Sequence, residues 1–588
     1  MNRLLTMLPA LLLSGLIPTT SLNAADLPAA PLLRIETGMH TAVIKRIGVD
    51  KAGRWLVSAS EDKTVRVWDI SAGLKDNAKG LTERMVPTRV LRPPVGDGDE
   101  GKLYAVAISP DGNLVAAGGF TGGDGESHTS IYLFNRGDGR MMGRFSGRFN
   151  VVNHLTFSPN GRWLAASLGG ESGLRIFAVD ADAKPGDSDK PALRLVAQDG
   201  RYRDSSYGNH FSPDSSRLVT SCYDKYLRLY SLADLGEPGR ESISLRPLLK
   251  QRAPGGRQPG SVRFSPDGAS IAVAYTDTGN IDVMSAADFT LLYAPDTGKV
   301  EYGHFTHVAW SPDGKELYGA GSADTTVKGA IRRWSDAGKG SYLDLKSGVS
   351  NVITDLIELP DGGVSFCAGD PAIGVLTRDG AQQLLLASEV ADYRAFSNGL
   401  AHFKSSPDGT VIQFYYDAKE KKYATFSPTS RILSLKEGPL TLAPPDTTSL
   451  PVKGWEDDKD PTLHGRSLKL SKHEYSRTLA IAPDKASFLL GTGWSLRRYD
   501  SKGEQQWEIP VPGSAWVANI TPNGAIAIAA FGDGTIRWYR YADGVELLAF
   551  FPHSDRKRWV VWTPSGYYDA SPGAEDLFGW HINGATDK

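Results

Sequence analysis

A short phrase that returns along the whole chain limits what it can fold into. An apolar, strand-like run ends in Ser-Pro-Asp-Gly or a near variant, and a second β-rich run follows at once. The phrase stands at Ser109–Gly112, Ser158–Gly161, Ser212–Ser215, Ser265–Gly268, Ser311–Gly314 and Ser406–Gly409. Looser copies are Leu359–Gly362, Ala482–Lys485, Thr521–Gly524 and Thr563–Gly566. Proline sets φ for the first turn position, Asp or Asn bonds its own backbone, and Gly accepts a positive φ, so each copy is a tight turn between strands. Such a turn about every 40–54 residues marks a repeat array.

The second half of each unit keeps the same period. A small-residue strand follows the turn, then a polar turn, then a strand of alternating polar and apolar residues. Examples are TVRVWDI (Thr64–Ile70), SIYLFN (Ser130–Asn135), YLRLYSL (Tyr226–Leu232), AIRRWSD (Ala330–Asp336) and TIRWYR (Thr535–Arg540). Alternation with period two, in β-branched and aromatic residues, makes half-buried strands. Three or four short strands per unit make a propeller blade.

The stretch from Thr41 to Asp69 resembles a WD40 repeat. The resemblance implies that His40, Ser58, Asp62 and Trp68 form a hydrogen-bonded set that pins a blade. Thr220, Asp224 and Tyr230 match three of those positions in a later unit, and Asp533 with Tyr539 match two in another. In that family the residue before the turn Asp lines one face of the ring. Glu61, Tyr223 and Ala323 fall there, and Glu61 and Tyr223 are the candidate partner-binding residues. The resemblance covers roughly residues 32–570 and specifies fold far better than function, because propellers host enzymes, receptors and scaffolds alike.

At 588 residues the chain exceeds one seven-bladed ring, and about eleven or twelve units can be counted. The expected fold is therefore all-β, a WD40-type β-propeller with two rings in tandem. Residues 32–380 form the first ring of about seven blades, 381–572 a second and less regular ring, and 573–588 a tail. Leu32–Ile35 is expected to close the first ring as the outer strand of its last blade. Thr441–Pro461 reads as a linker or insertion, and Ser71–Gly101 and Ala181–Pro191 as long surface loops. A hydrophobic content of 40% with 22% charged residues suits a globular core.

Arg3 precedes an apolar run, Leu4–Ile17, that is too short for an ordinary spanning helix and is followed by the small pair Ala24-Ala25. This is the pattern of a secretory signal peptide over residues 1–25, cleaved after Ala24 or Ala25. The expectation is a periplasmic or secreted protein with no membrane insertion after cleavage. Cys222 and Cys367 fall three units apart, too far for a disulfide, and read as small buried fillers.

With 65 basic against 67 acidic residues and a net charge of −2, the chain lacks the footprint of a nucleic-acid binder. Its one compact basic run, Arg556-Lys557-Arg558, reads as a solvated turn. No phosphate-cradling loop, metalloprotease motif, serine elbow or Cys-x-x-Cys is present. Asp97-Gly-Asp-Glu-Gly101 lacks the later Glu of a calcium loop. His40, His154, His210, His304 and His307 read as blade-pinning residues, so no metal, cofactor or catalytic residue is assigned. The channel is expected to be lined by small residues, as in Leu56–Ser60, Leu114–Gly119, Trp163–Ser167 and Ile526–Ala530, and to offer no acid or base.

Two further resemblances bear on function. Leu496–Trp507 resembles the tryptophan-docked repeat of quinone-dependent dehydrogenases and related periplasmic scaffolds. It is clear once, so a cofactor-free blade is expected. Trp559–Gly573 with Gly579–Asn583 is similar to a block that closes the propeller region of certain bacterial WD40 proteins, some of which carry a caspase-like peptidase domain. That implies bacterial origin and a peptidase link; with only Gly584–Lys588 after the block, no such domain is expected on this chain. Tyr567, Tyr568 and Trp580 are expected to close the last blade. The chain is thus read as a non-enzymatic, exported scaffold for protein or peptide partners. The alternatives are a regulatory propeller for a separately encoded caspase-like peptidase, and an exported propeller hydrolase or lyase with an acid and His site in its channel.

Overall fold

A computed structural model describes residues 28–583, except 29, 72–84, 97, 123–127, 185, 187–189, 236–241, 299, 301–302, 324, 326, 395–399, 418–421, 440 and 472–473. The signal-peptide expectation lies outside these residues. Among the described residues no helix is long and apolar enough to cross a membrane.

The Ser-Pro turns form as their residues dictate. In the first full copy, Gly112 N–H donates to Ser109 O (2.8 Å), while Ser109 Oγ accepts from Leu114 N–H (2.9 Å) and donates to Asp111 (2.5 Å). Gly112 sits at φ +74°, and the copies without the glycine hold Ser215 at +61° and Lys485 at +57°, where a side chain is strained.

Each turn joins the innermost strand of a blade to its second strand, except Thr563–Gly566, which joins the two outermost strands of the last sheet. Seven four-stranded blades, antiparallel within themselves, follow in chain order over 44–91, 103–147, 152–199, 206–252, 259–293, 305–346 and 353–387; blade 3 gains a short parallel fifth strand, Ile243–Ser244. The ring closes where blade 7 meets blade 1: Ile47 N–H donates to Asp355 (3.2 Å), Thr354 Oγ donates to Ile44 O (2.5 Å), and Met39, Ile44, Leu56 and Trp68 share a core with Cys367, Ile373 and Val375.

Four further sheets, over 404–434, 452–467, 476–510 and 515–570, make a second and smaller ring. The fourth shares cores with the third and with the first, the third with the second, and Trp455, between the first two strands of the second, packs on the core that the first and fourth share. One strand of the second sheet, Val452–Lys453, therefore lies in the expected linker, and its partners Thr462–Leu463 and Arg466–Ser467 follow directly after it.

Three expectations are corrected. Leu32–Ile35 does not close the first ring, because blade 7 fills its own four places. It pairs antiparallel with Phe578–His581, so the expected tail is in part a strand, and both pack on the fourth sheet of the second ring. The Ser71–Gly101 loop contains the outer strand of blade 1, Arg89–Leu91. The two thiols are free and buried, as fillers would be.

Candidate functional site

The strand order gives each ring two unlike faces. Innermost strands begin at the connections between blades, and the second-to-third turns lie at the same edge, the loop face. The Ser-Pro turns lie opposite, on the turn face. In all seven blades of the first ring the innermost strand carries a register shift at one place, between Ile44 and Arg46, Leu103 and Ala105, Val152 and His154, Ser206 and Gly208, Pro259 and Ser261, Phe305 and His307, and Ile353 and Asp355. A bulge leaves one residue unpaired and re-aims its side chain. Lys45, Tyr104, Asn153 and Tyr207 are such residues, set around the loop-face mouth of the channel.

Glu61 and Tyr223 lie at that mouth. Glu61 is 8% exposed, and its carboxylate binds Lys45 Nζ (2.8 Å) and accepts from the Tyr104 hydroxyl (3.2 Å). Burial alone would raise its pKa, but the ammonium groups of Lys45 and Lys102 outweigh that and hold it below the usual value. Lys45 also lies over the Tyr104 ring, 4.9 Å from its centroid, and Tyr104 meets the exposed Phe120 edge-on at 5.2 Å. Glu61 thus orients Lys45 and Tyr104. Tyr223 is half-buried against Tyr207, ring centroids 4.3 Å apart. Ala323 is buried in the core of blades 5 and 6.

His40, Ser58, Asp62 and Trp68 come together in blade 1. His40 Nδ1 lies 2.8 Å from Asp62, His40 Nε2 lies 2.7 Å from Ser58 Oγ, and Trp68 Nε1 donates to Ser58 Oγ (3.0 Å). Burial holds His40 below its ordinary pKa despite Asp62. Burial would raise Asp62, yet His40, Arg66 and Thr64 hold it far below the carboxylate range. Ionised Asp62 only accepts, so His40 donates from Nδ1 and accepts the Ser58 proton at Nε2. Blade 4 solves the same problem with other chemistry. Tyr202, four residues before its inner strand as His40 is in blade 1, bonds Thr220 (2.7 Å) and Tyr230 (3.0 Å), and Tyr230 donates to Asp199 (2.9 Å). Asp224 pairs instead with Arg228.

The channel differs from expectation. Leu56–Ser60, Leu114–Gly119, Trp163–Ser167 and Ile526–Ala530 lie on second strands, one strand out from the axis. The innermost strands carry Arg46, His154, His210, Arg263, His307 and Asp355, so acids and bases do face the channel. His154, His210 and His307 are rim residues, and among the five His read as pins His40 alone makes the full set. Arg46 pairs with Asp355 (3.2 Å) and crosses to donate to Tyr207 O in blade 4 (3.0 Å). Burial lowers all three rim His, His210 and His307 to about 3.

Sequence reasoning missed two further sets. An Arg recurs two places before the aromatic of the third strand, as Arg228, Arg332, Arg497 and Arg537, each buried or half-buried and ion-paired, to Asp224, Asp344, Glu474 and Glu546 respectively. The repeated Arg-x-Trp/Tyr in the sequence was the available signal. The second set joins blades: Asp355, His154 and Ser261 each accept the N–H of Ile47, Asn209 and Val308 on the next blade.

The WD domain, G-beta repeat family matches residues 35–69, 139–177, 206–231 and 297–328. The chain carries WD40 repeats in a β-propeller fold. The small ribosomal subunit protein RACK1 of Caenorhabditis elegans is 30% identical over 182 residues, 30% of this chain and 46% of that protein. Cross-pathway control WD-repeat protein 2 of Flammulina velutipes is 30% identical over 178 residues, 30% of this chain and 47% of that protein. The chain thus spans less than half the length of these curated relatives. The β-propeller domain of Myceliophteria thermophila Cps50 (Swd1) aligns at 15% identity and a TM-score of 0.42, over 59% of this chain and 99% of that one. These relatives are eukaryotic; bacterial origin and a peptidase link rest on the carboxyl-terminal resemblance alone.

Proposed function

We propose that the chain is an exported, non-enzymatic scaffold that binds a protein or peptide partner on the loop face of its first ring. The observation that carries this is the cluster of Lys45, Tyr104, Phe120, Tyr207 and Tyr223 around the channel mouth. Rigid aromatic rings beside fixed charges are the composition of interface hot spots. That a matched relative is by name a protein of the small ribosomal subunit is in keeping with assembly work.

The hydrolase or lyase alternative gains acids and bases in the channel but loses on their chemistry. Asp355 is occupied by Arg46 and Ile47 N–H, and a His titrating near 3 is a poor base at neutral pH. The hydroxyl nearest a rim His, Thr306, lies 2.9 Å from His307 Nδ1, with no carboxylate bonded to that ring among the described residues. A regulatory role toward a caspase-like peptidase rests on the carboxyl-terminal block alone. There Tyr567, Tyr568 and Trp580 are 44–47% exposed, which departs from their reading as blade-closing residues.

Export rests on the Leu4–Ile17 run. Amino-terminal sequencing of the protein from its native host should find Ala25 or Asp26 first; Met1 retained on a cytoplasmic protein would remove export from the proposal.

A further inference from the structure

Below the loop-face mouth the channel carries a cation that has no direct ion pair among the described residues. Arg46, stretched between Asp355 and Tyr207 O, forms a strut across the loop-face side and is neutralised there. Two residues further along their inner strands, toward the turn face, stand His210 and Arg263, in a register layer whose other members are Gly48, Ala107, Thr156, Ala309 and Ile357.

Arg263 is 7% exposed, and its one bond among the described residues is to Val262 O, next to it in the chain (3.4 Å). Asp355 and Glu358 act on it through space, but among the described residues no carboxylate lies within ion-pair distance. None of its nitrogens is among the sealed atoms that lack a partner, so its free N–H groups open onto the channel, where an anion can meet them. His210 Nδ1 accepts the Phe264 N–H (3.0 Å), so its proton sits on Nε2, which has no partner among the described residues. His154 is arranged alike toward Asn209 N–H (3.2 Å), with its Nε2 3.5 Å from the Thr156 hydroxyl. Burial, deepened by Arg263, keeps His210 neutral, so it supplies a donor without a second charge.

We propose that this layer binds a small oxyanion of the phosphate, sulfate or carboxylate class, held by the Arg263 guanidinium and the His210 Nε2–H and reached from the turn face. A single cation with neutral N–H donors suits a compact anion in a partly dry channel. The site lies at the opposite end of the channel from the docking cluster, so either proposal can fail without the other.

The test uses the full chain at fixed ionic strength, with inorganic phosphate replacing chloride. Thermal unfolding should show a saturable rise with phosphate. Arg263→Met should weaken the apparent affinity at least tenfold, while Arg140→Met, at an exposed arginine in the turn after the third strand of blade 2, should leave it unchanged. Equal stabilisation of wild type and Arg263→Met, or no saturable rise in wild type, would overturn the site. Should Arg263→Met fail to fold, His210→Phe gives the same reading. Wild-type crystals soaked in selenate decide it directly: an anomalous peak beside Arg263 supports the site, and its absence overturns it.

Discussion

The two rings use one device and close differently. In the ring of seven, every innermost strand is six residues long, and in three blades the residue after the bulge, His154, Ser261 or Asp355, accepts a backbone N–H of the next blade. In the ring of four, Ser476–Ile481 and Ala515–Ile520 keep the six-residue length and the bulge, and Thr478 accepts the Ala518 N–H (3.1 Å) in the same way. The innermost strand of its first sheet has shrunk to Lys404–Ser405. There the segment between the sheets fills in, through bridges from Ala443 to Ser405 and from Asp446 to Ile481, and Asn519 reaches across to Ser405 and Ala443. The bridge is therefore a property of two neighbouring sheets and works without setting the number of sheets in the ring.

The comparison is sharpest where the same place carries different chemistry. Asp355→Ala removes a carboxylate that holds both Ile47 N–H and the buried Arg46, and it should cost about 3–5 kcal/mol. Thr478→Val removes only the acceptor for Ala518 N–H and should cost about 1–3 kcal/mol. Equal losses in chemical denaturation would contradict the added role given to the Asp355–Arg46 pair.

A smaller effect separates pinned from unpinned Asp residues. Asp62→Ala leaves His40, Thr41 N–H and Thr64 without their acceptor, at about 1–3 kcal/mol. Asp138→Ala, in an exposed turn, should stay within about 0.5 kcal/mol. Equal melting shifts would contradict the blade register.

The first ring should also respond to acid. His40, His154, His210 and His307 are all held below the ordinary histidine value, so the unfolded chain takes up protons before the folded one does. Their contribution is whole above about pH 6.5 and falls as the pH drops toward the folded value, near 3 for His210 and His307. His307→Phe should flatten the stability profile between pH 6.5 and 4 by about 1.4 kcal/mol per pH unit. An unchanged slope would show that His307 titrates alike in both states.

How much of this was legible depended on range. Turns and alternation are local, so the Ser-Pro phrase and the third strands located the sheets, and His40 to Trp68 could be matched because blade 1 keeps every member of its set. The channel was misread because the small-residue strand is the more regular one, while the innermost strand before each turn varies its residues to suit a neighbour distant in sequence. His154 answers to Asn209 and Arg46 to Asp355 and Tyr207, pairings that exist only after the ring closes. The pairing of Leu32–Ile35 with Phe578–His581 joins the two ends of the described chain, beyond the reach of any local pattern.

The central claim is that the loop face of the first ring meets a partner. A photo-crosslinking residue placed at Tyr223, and separately at Asp138 on the turn-face rim, tests it in the native host. The account predicts discrete protein adducts from position 223 that are lost when Lys45 and Tyr104 are replaced by Ala, and none from position 138. Adducts from 138 alone, or adducts from 223 that survive those replacements, would contradict it.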